Sequence, residues 1–212
     1  MNETQIAYNK HFFEVTARNF IQRDGLTEFL TYLEQKTDFY TAPSSSNFHL
    51  NEAGGLCKHS LNVFLTAMKI NEHIVRSAID DETSPFATPV PEESVAIVAL
   101  FHDLCKVNIY HPTERFRKDD TGRWVTYPSY RIEDEFPFGH GEKSCYILNK
   151  YMKLTKAEAL AIRWHMGMFD MAESGSAQRK SFYAAMERSP LVSILQAADL
   201  LAANCLEKIN KY

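Results

Sequence analysis

Three observations predict a mostly α-helical protein. Apolar residues recur at spacings of three and four along most of the 212 residues, a pattern typical of helices that bury one face. The alternation typical of strands occurs only once, at about residues 110–131. Hydrophobic residues make up 45% of the chain, which at this length is enough for a sizeable core. We therefore expect an all-α bundle with a β-hairpin insertion near residues 110–131.

The first half of the chain predicts helices separated by two loops. Residues 4–40 carry two amphipathic stretches that break near Asp24-Gly25. A loop rich in Pro, Ser, Asn and Gly ends at Gly54-Gly55 and leads into a helix predicted over residues 56–74. After a second loop at residues 80–90, Pro91 suits the first turn of a helix. Residues 95–104 of that helix are apolar nearly all round, so we expect it to be buried.

The second half begins with the hairpin and continues with helices. Asp119-Asp120-Thr121-Gly122 is a turn signal between the two alternating runs. We predict helices over residues 141–152, 155–166, 177–187 and 190–208. Thr155 and Glu158 fit a capping box, and Ser189-Pro190 fits an N-cap followed by proline. No linker is visible in the sequence, so we expect one domain over residues 1–212, with its core at about 43–208 and packing helices at 1–42.

Composition excludes several classes of protein. The net charge of −4 argues against a stable complex with duplex nucleic acid. The four cysteines are widely spaced without a C-x-x-C pair, so we expect buried thiols rather than disulfides or a zinc ribbon. No apolar run approaches about 18 residues and the N-terminus lacks a signal-peptide core. These features predict a cytoplasmic protein that does not enter a membrane.

Two acidic residues lie within apolar helical segments. His102-Asp103 ends the segment predicted to be buried, and Asp199 interrupts another apolar run. An uncompensated buried carboxylate costs several kcal/mol. Lys106, about one turn after His102, offers a salt bridge, and a metal cation offers an alternative. Because two such acids occur on separate helices, we favour one shared cation site.

Further histidines offer imidazole ligands, although each has an ordinary interpretation. His59 fits an exposed helix start, His140 a turn between two glycines, and His165 a favourable interaction with a helix C-terminus. His49, ten residues before His59 in the loop that leads to it, is intermediate between these candidate ligands and an ordinary polar residue. We interpret His11, His73 and His111 as ordinary polar residues.

The order His59, His102-Asp103, Asp199 resembles the HD superfamily of metal-dependent phosphohydrolases over residues 43–201. Residues 54–63 resemble its first-histidine motif and residues 100–106 its HD-x-x-K motif. His140 and His165 are similar to the additional histidines of two-metal members, which include HD-GYP phosphodiesterases and YhaM-type exoribonucleases. The chain has His165-Met166 where HD-GYP proteins carry paired histidines, and no Gly-Tyr-Pro follows. The position of His49 resembles the YhaM-type group, whose additional β-barrel domain has no obvious counterpart in this sequence.

The resemblance implies phosphoester hydrolysis by a hydroxide that bridges one or two divalent metal ions. It implies that Asp103 bridges, with His59, His102 and Asp199 on one ion and His140 and His165 on the other. Asp103 and Lys106 would be catalytic. Lys106, Arg163 and His49 would contact the substrate. The imidazole-rich set favours transition metals, and we expect Mn²⁺ or Fe²⁺, with Zn²⁺, Ni²⁺ and Co²⁺ compatible.

The substrate and the hairpin leave alternatives open. A nucleotide, another phosphorylated small molecule or a short oligonucleotide is compatible with this chemistry. The basic, aromatic hairpin residues Arg115, Arg117, Lys118, Arg123 and Trp124 fit an arm that stacks a base, a solvated hairpin, or packing against the helices or a second subunit of a homodimer. Two alternatives to an enzyme are also open. The protein could be a noncatalytic sensor that holds a nucleotide in the same pocket, or its histidines could bind one structural metal.

Overall fold

The computed structural model describes residues 1–171 and 175–209, and it is mostly helical with one antiparallel β-hairpin, as the sequence predicts. In chain order the helices and strands are α1 (Glu3–Phe20), α2 (Leu26–Lys36), α3 (Gly55–Ile70), α4 (Ser77–Asp80), α5 (Glu92–Phe101), β1 (Tyr110–Lys118), β2 (Trp124–Ile132), α6 (His140–Asn149), α7 (Lys156–Trp164), α8 (Ser176–Arg188) and α9 (Pro190–Leu201). Within the described residues no single helix has the length and apolarity to cross a membrane. Two consecutive helices, Ser176–Arg188 and Pro190–Leu206, have that length and apolarity only when they are taken together, and the chain bends by 107° between them.

Helix α5 is the centre of the core. All of its residues from 94 to 101 are buried, which is why the sequence is apolar on every face. Helices α1, α3, α7 and α9 pack around it. From the N-terminal side, the rings of Phe13 and Phe29 meet Phe101 edge to face, with centroids 5.8 and 5.0 Å apart. The two N-terminal helices therefore hold the end of α5 in place.

The break between α1 and α2 depends on a glycine. Gly25 has φ +89°, and a Cβ built on it would lie 1.9 Å from the backbone oxygen of Tyr151. Only glycine combines this left-handed conformation with such a close approach. The chain break that the sequence predicts near Asp24-Gly25 is thus fixed by packing against the segment after α6.

Helix α5 is shorter than the apolar pattern predicts. It ends at Phe101, and a 3₁₀ turn over Leu104–Lys106 follows. Asp103, with φ −100° and ψ 22°, lies between the two. The apolar pattern extends to residue 104 because Leu104 is still buried, although the backbone is no longer α-helical. This change of direction lets the adjacent side chains of His102 and Asp103 both point into the protein.

Two helices continue as π-helical segments that periodicity alone does not predict. Helix α3 continues into Asn71–Arg76, and α9 continues into Ala202–Leu206. A π turn places its hydrogen bonds one residue further apart, so the face that follows it is rotated. After the second segment the chain leaves the helix at Glu207, earlier than the predicted end at residue 208.

The hairpin has one face towards the protein and one towards solvent. Its register pairs Arg115 with Tyr127 and Lys118 with Trp124. On the inner face Ser129 is buried, and Arg115 donates a 3.4 Å hydrogen bond to Asn47 Oδ1. On the outer face Trp124 is 69% exposed. The hairpin is therefore both partly packed and partly solvated, and its suggested role in stacking a base stays a prediction.

All four cysteines lie in the described ranges and are free thiols. Cys57 and Cys105 are buried, as predicted, and Cys145 is half-buried. The prediction of burial is wrong for Cys205, which is exposed because it lies on the outer side of the π-helical segment after α9.

Candidate metal centre

The carboxylate of Asp103 is the centre of a cluster of histidines. It is only 2% exposed, and each of its oxygens has several neighbours. Oδ1 lies 2.9 Å from Nε2 of His140 and 3.6 Å from Nε2 of His165. Oδ2 lies 3.4 Å from Nε2 of His102 and 3.5 Å from Nε2 of His59. Four imidazoles, two from α3 and α6 and two from the residues that directly follow α5 and α7, thus converge on one side chain.

Asp199 of α9 closes the other side of the cluster. Its Oδ1 lies 3.2 Å from Nε2 of His59, and that nitrogen lies 3.3 Å from Nε2 of His102. Two donors that each bind one transition-metal ion at about 2.0–2.2 Å lie about 3–3.5 Å apart. Among the described residues, four sets of ligand atoms are mutually close enough to hold an ion: His59, His102 and Asp103; His102, His165 and Asp199; Asp103, His140 and His165; and, behind His59, His49 with His59 and Glu207.

Backbone carbonyls fix the protonation pattern of two of these rings. Nδ1 of His102 is 2.9 Å from the carbonyl oxygen of Ala99, and Nδ1 of His165 is 2.7 Å from that of Ile162. Because a carbonyl only accepts, each Nδ1 carries the proton, and Nε2 of the neutral ring presents a lone pair. In the described ranges, Nε2 of His165 is buried without a hydrogen-bond partner. Lone pairs that face carboxylates repel unless positive charge lies between them, so the residues present fit a transition-metal centre.

The third ring is held by a residue that the sequence analysis missed. Both carboxylate oxygens of Glu207 lie 3.0 Å from Nδ1 of His59, and Asn62 donates a 2.9 Å hydrogen bond to the same carboxylate. Glu207 lies in a charged C-terminal stretch, a composition that predicts a solvated tail. Its side chain is nevertheless fully buried. The available signal was its spacing of eight residues, about two helical turns, from Asp199.

The pKa shifts show how strongly the cluster demands positive charge. Burial acts to raise the pKa of Asp103, but Lys106 and His102 outweigh it and hold the pKa well below its usual range. For His59, burial acts to lower the pKa, but hydrogen bonds to Asp199 and Glu207 raise it to about 10. Burial lowers the pKa of His140, which Asp103 only partly offsets. Where no cation is bound, protons on the imidazoles compensate the carboxylates.

Two of the predicted substrate residues lie beside the cluster. Nζ of Lys106 is 2.6 Å from Oδ2 of Asp103, so the salt bridge that the sequence left open is formed together with the histidine contacts. The ring of His49 is 4.7 Å from that of His59, and its Nε2 is buried without a hydrogen-bond partner in the described residues. Lys106 therefore contacts Asp103 directly, whereas His49 meets the cluster through the ring of His59.

Arg163 is not brought to the cluster. Its Nε lies 2.5 Å from Glu142 and its Nη1 lies 3.2 Å from Asp170. Its guanidinium also lies 4.1 Å from the centroid of the Trp164 ring. Arg163 precedes His165 by two residues, which on a helix is a rotation of about 200°. The side chain of Arg163 therefore points to the opposite face from that of His165. The prediction that Arg163 contacts the substrate is therefore not supported by its position.

Two cavities open beside the cluster. One, of about 630 Å³, is bordered by His165 and Asp199 and also by His49. The other, of about 400 Å³, is bordered by His140 and Lys106. Each includes predicted ligands, so the cluster is accessible from both sides. Volumes of this size suit small-molecule ligands.

Comparison with known proteins agrees with this geometry. A family model described as the HD domain matches residues 56–204. No curated protein and no solved structure matches the chain significantly. The matched region covers well over half of the chain and includes every member of the cluster except Glu207. The chain therefore belongs to the HD domain family, which is a superfamily of metal-dependent phosphohydrolases.

Proposed function

We propose that this protein is a two-metal phosphohydrolase that cleaves phosphodiesters of a nucleotide or short oligonucleotide. One observation carries the proposal: four imidazole Nε2 atoms converge with the buried carboxylate of Asp103 and the half-buried carboxylate of Asp199 at separations of 2.9–3.6 Å. The overlapping ligand sets favour two ions rather than one. The additional histidines and the position of His49 support a likeness to the two-metal, YhaM-type members of the superfamily.

In this proposal the ligands divide around Asp103. His59, His102 and Asp199 would hold one ion, and His140 and His165 the other, with the two oxygens of Asp103 shared between them. The imidazole-rich donor set favours Mn²⁺ or Fe²⁺ among divalent ions. Such ions supply Lewis acidity: they neutralise charge on the phosphate and lower the pKa of the attacking water.

The protein side chains position the substrate around this centre. The ammonium of Lys106, held 2.6 Å from Asp103, is placed to contact a nonbridging phosphate oxygen. His140 is the most exposed of the four clustered imidazoles at 27%, so it marks the side from which the phosphate approaches. The hydrogen bonds at Nδ1 of His102 and His165 fix both rings in advance, so little reorganisation is needed when the ligands close on a cation.

Replacing the shared carboxylate tests the proposal. In Asp103→Asn the volume is kept but the bridging charge is lost, so we expect bound metal to fall and hydrolysis of bis(p-nitrophenyl) phosphate with Mn²⁺ to drop by about 10²-fold or more. Metal content is measured by mass spectrometry after removal of free ions, and circular dichroism checks the helical fold. Asp119→Asn, the same change in the exposed hairpin turn, is the control and should leave both values unchanged.

Two results would contradict the proposal. Undiminished hydrolysis in Asp103→Asn would remove this residue from the reaction. A wild-type protein that binds metal and retains nucleotides without turning over any phosphodiester would instead be the noncatalytic sensor.

A further inference from the structure

The two cavities beside the metal centre differ in charge. The smaller one is bordered by Lys106 and Lys143, each paired with an acid. The larger one, which we name the apolar cavity, has no lysine or arginine among its described lining residues, and eight of those residues are apolar. Its described lining therefore offers no ammonium or guanidinium group to neutralise a second or third phosphate group. What it can accommodate is an uncharged, largely apolar group attached to the phosphate.

The rim of the apolar cavity carries two exposed aromatic rings. Phe48, in the loop that leads to His49, is 67% exposed, and Phe169, just after α7, is 85% exposed. Both line the apolar cavity. Exposed aromatic faces at the mouth of a binding site are the usual platforms for planar bases, with stacking worth about 1–3 kcal/mol per base.

One carboxamide inside the apolar cavity is available for hydrogen bonding. Gln196 lies three residues, about one helical turn, before the ligand Asp199, and it makes no hydrogen bond within the part of the chain that the structure describes. Its neighbour Asn204 already donates to the carbonyl of Leu200. Gly167, with φ +56°, leaves room for the amide of Gln196, because a Cβ there would lie 1.7 Å from Nε2.

We propose that the apolar cavity binds the nucleobase of the substrate and that Gln196 hydrogen-bonds the edge of that base. An amide offers one acceptor and two donors, which suits the mixed edge of a base better than a phosphate. This inference rests on the proposed function for the position of the phosphate, but the binding of a base needs no metal. The expected substrate is a phosphodiester with a nucleoside on the Asp199 side of the centre, not a polyphosphate that extends into this cavity.

Binding of free nucleosides to metal-free protein tests the inference. Protein stripped with EDTA is titrated with adenosine, guanosine, cytidine and uridine in equilibrium dialysis. We expect saturable binding of at least one nucleoside, without competition from ribose 5-phosphate or pyrophosphate. Gln196→Met keeps the size of the side chain and removes its amide, and it should weaken that binding about three- to tenfold, the value of one hydrogen bond. Gln35→Met, the same change on the exposed face of α2, should have no effect.

The outcomes separate this inference from the proposed function. If no nucleoside binds, or if Gln35→Met weakens binding as much as Gln196→Met, the assignment of the apolar cavity is wrong even when wild-type protein hydrolyses bis(p-nitrophenyl) phosphate. If the Gln196-dependent nucleoside binding is found but no ester is hydrolysed with any metal, the base site stands and the proposed hydrolase fails.

Discussion

Glu207→Gln tests whether the buried carboxylate behind His59 contributes to metal binding. Glu207 does not reach Nε2 of His59, the atom that faces Asp199; it contacts Nδ1 on the opposite edge of the ring. A carboxylate there holds the ring in the Nδ1–H tautomer and makes Nε2 a stronger donor. The substitution keeps the size of the side chain and removes its charge. We expect metal affinity to fall while the helical fold persists.

The magnitude follows from the contacts that change. Both oxygens of Glu207 lie 3.0 Å from Nδ1 of His59, and one also accepts from Asn62. Glutamine keeps one acceptor oxygen but places an NH₂ donor where the second oxygen was. A hydrogen bond to a charged group contributes about 1.5–3 kcal/mol and a neutral one about 0.5–1.5 kcal/mol. The difference of about 1.4 kcal/mol corresponds to a tenfold weaker Kd for the ion.

Calorimetric titration of metal-free protein with Mn²⁺ measures this Kd directly. Glu72→Gln is the matched control, because Glu72 lies on the surface in an ion pair with Arg76 and has no contact with the cluster. Equal affinities for wild type and Glu207→Gln would refute the reasoning. An equal loss in Glu72→Gln would show that the effect is one of net charge alone.

Two further predictions concern stability. Glu158→Gln should lower the unfolding free energy by about 1.5–3 kcal/mol in urea titrations, because it removes the charge of a buried carboxylate that pairs with the partly exposed Arg23. The pKa of Glu158 is lowered because the hydrogen bond to Arg23 and its other hydrogen bonds outweigh burial. Its contribution to the unfolding free energy is therefore present above the unfolded pKa of about 4.3 and is lost as pH falls through the folded pKa. If the wild type stayed more stable than Glu158→Gln by the same amount at low pH, this explanation would be wrong. Gly25→Ala should cost more than Gly122→Ala in thermal melts, because both have positive φ but only the first has a backbone atom, the oxygen of Tyr151, in the way of a Cβ. Equal costs would show that backbone conformation alone matters.

Local signals were sufficient to predict the elements of the fold. The capping box at Thr155 and Glu158 and the N-cap at Ser189 are both present, because such contacts involve residues only two or three apart. The hairpin turn at residues 119–122 is predictable for the same reason. The end of α5 at Phe101 and the two π-helical segments were not predictable. They depend on how neighbouring helices pack, which no local pattern records.

The histidines and aspartates of the cluster could be proposed from residue type and context, but the residues that hold those side chains from behind, such as Glu207, could not. A charged side chain such as Asp103 in an apolar run has to be compensated, so its burial points to a partner. Glu207 lacks that signal because its own segment is charged. Arg163 is a different case: its proximity to His165 in sequence suggested a shared site, whereas its guanidinium pairs with Glu142 and Asp170.

The charge of the cluster when its imidazoles are neutral, the form that binds a metal, depends on how many cations it holds. With neutral imidazoles, the carboxylates of Asp103, Asp199 and Glu207 and the ammonium of Lys106 leave a net charge of −2. Without a cation, protons on the imidazoles offset this charge, and bound metal ions would replace those protons. One divalent cation brings the charge to neutral, and a second makes it positive, which attracts a phosphodiester. Under the proposed function, two ions rather than one would therefore make this pocket receptive to a phosphodiester, and the four imidazoles around Asp103 offer enough ligands to divide between two ions.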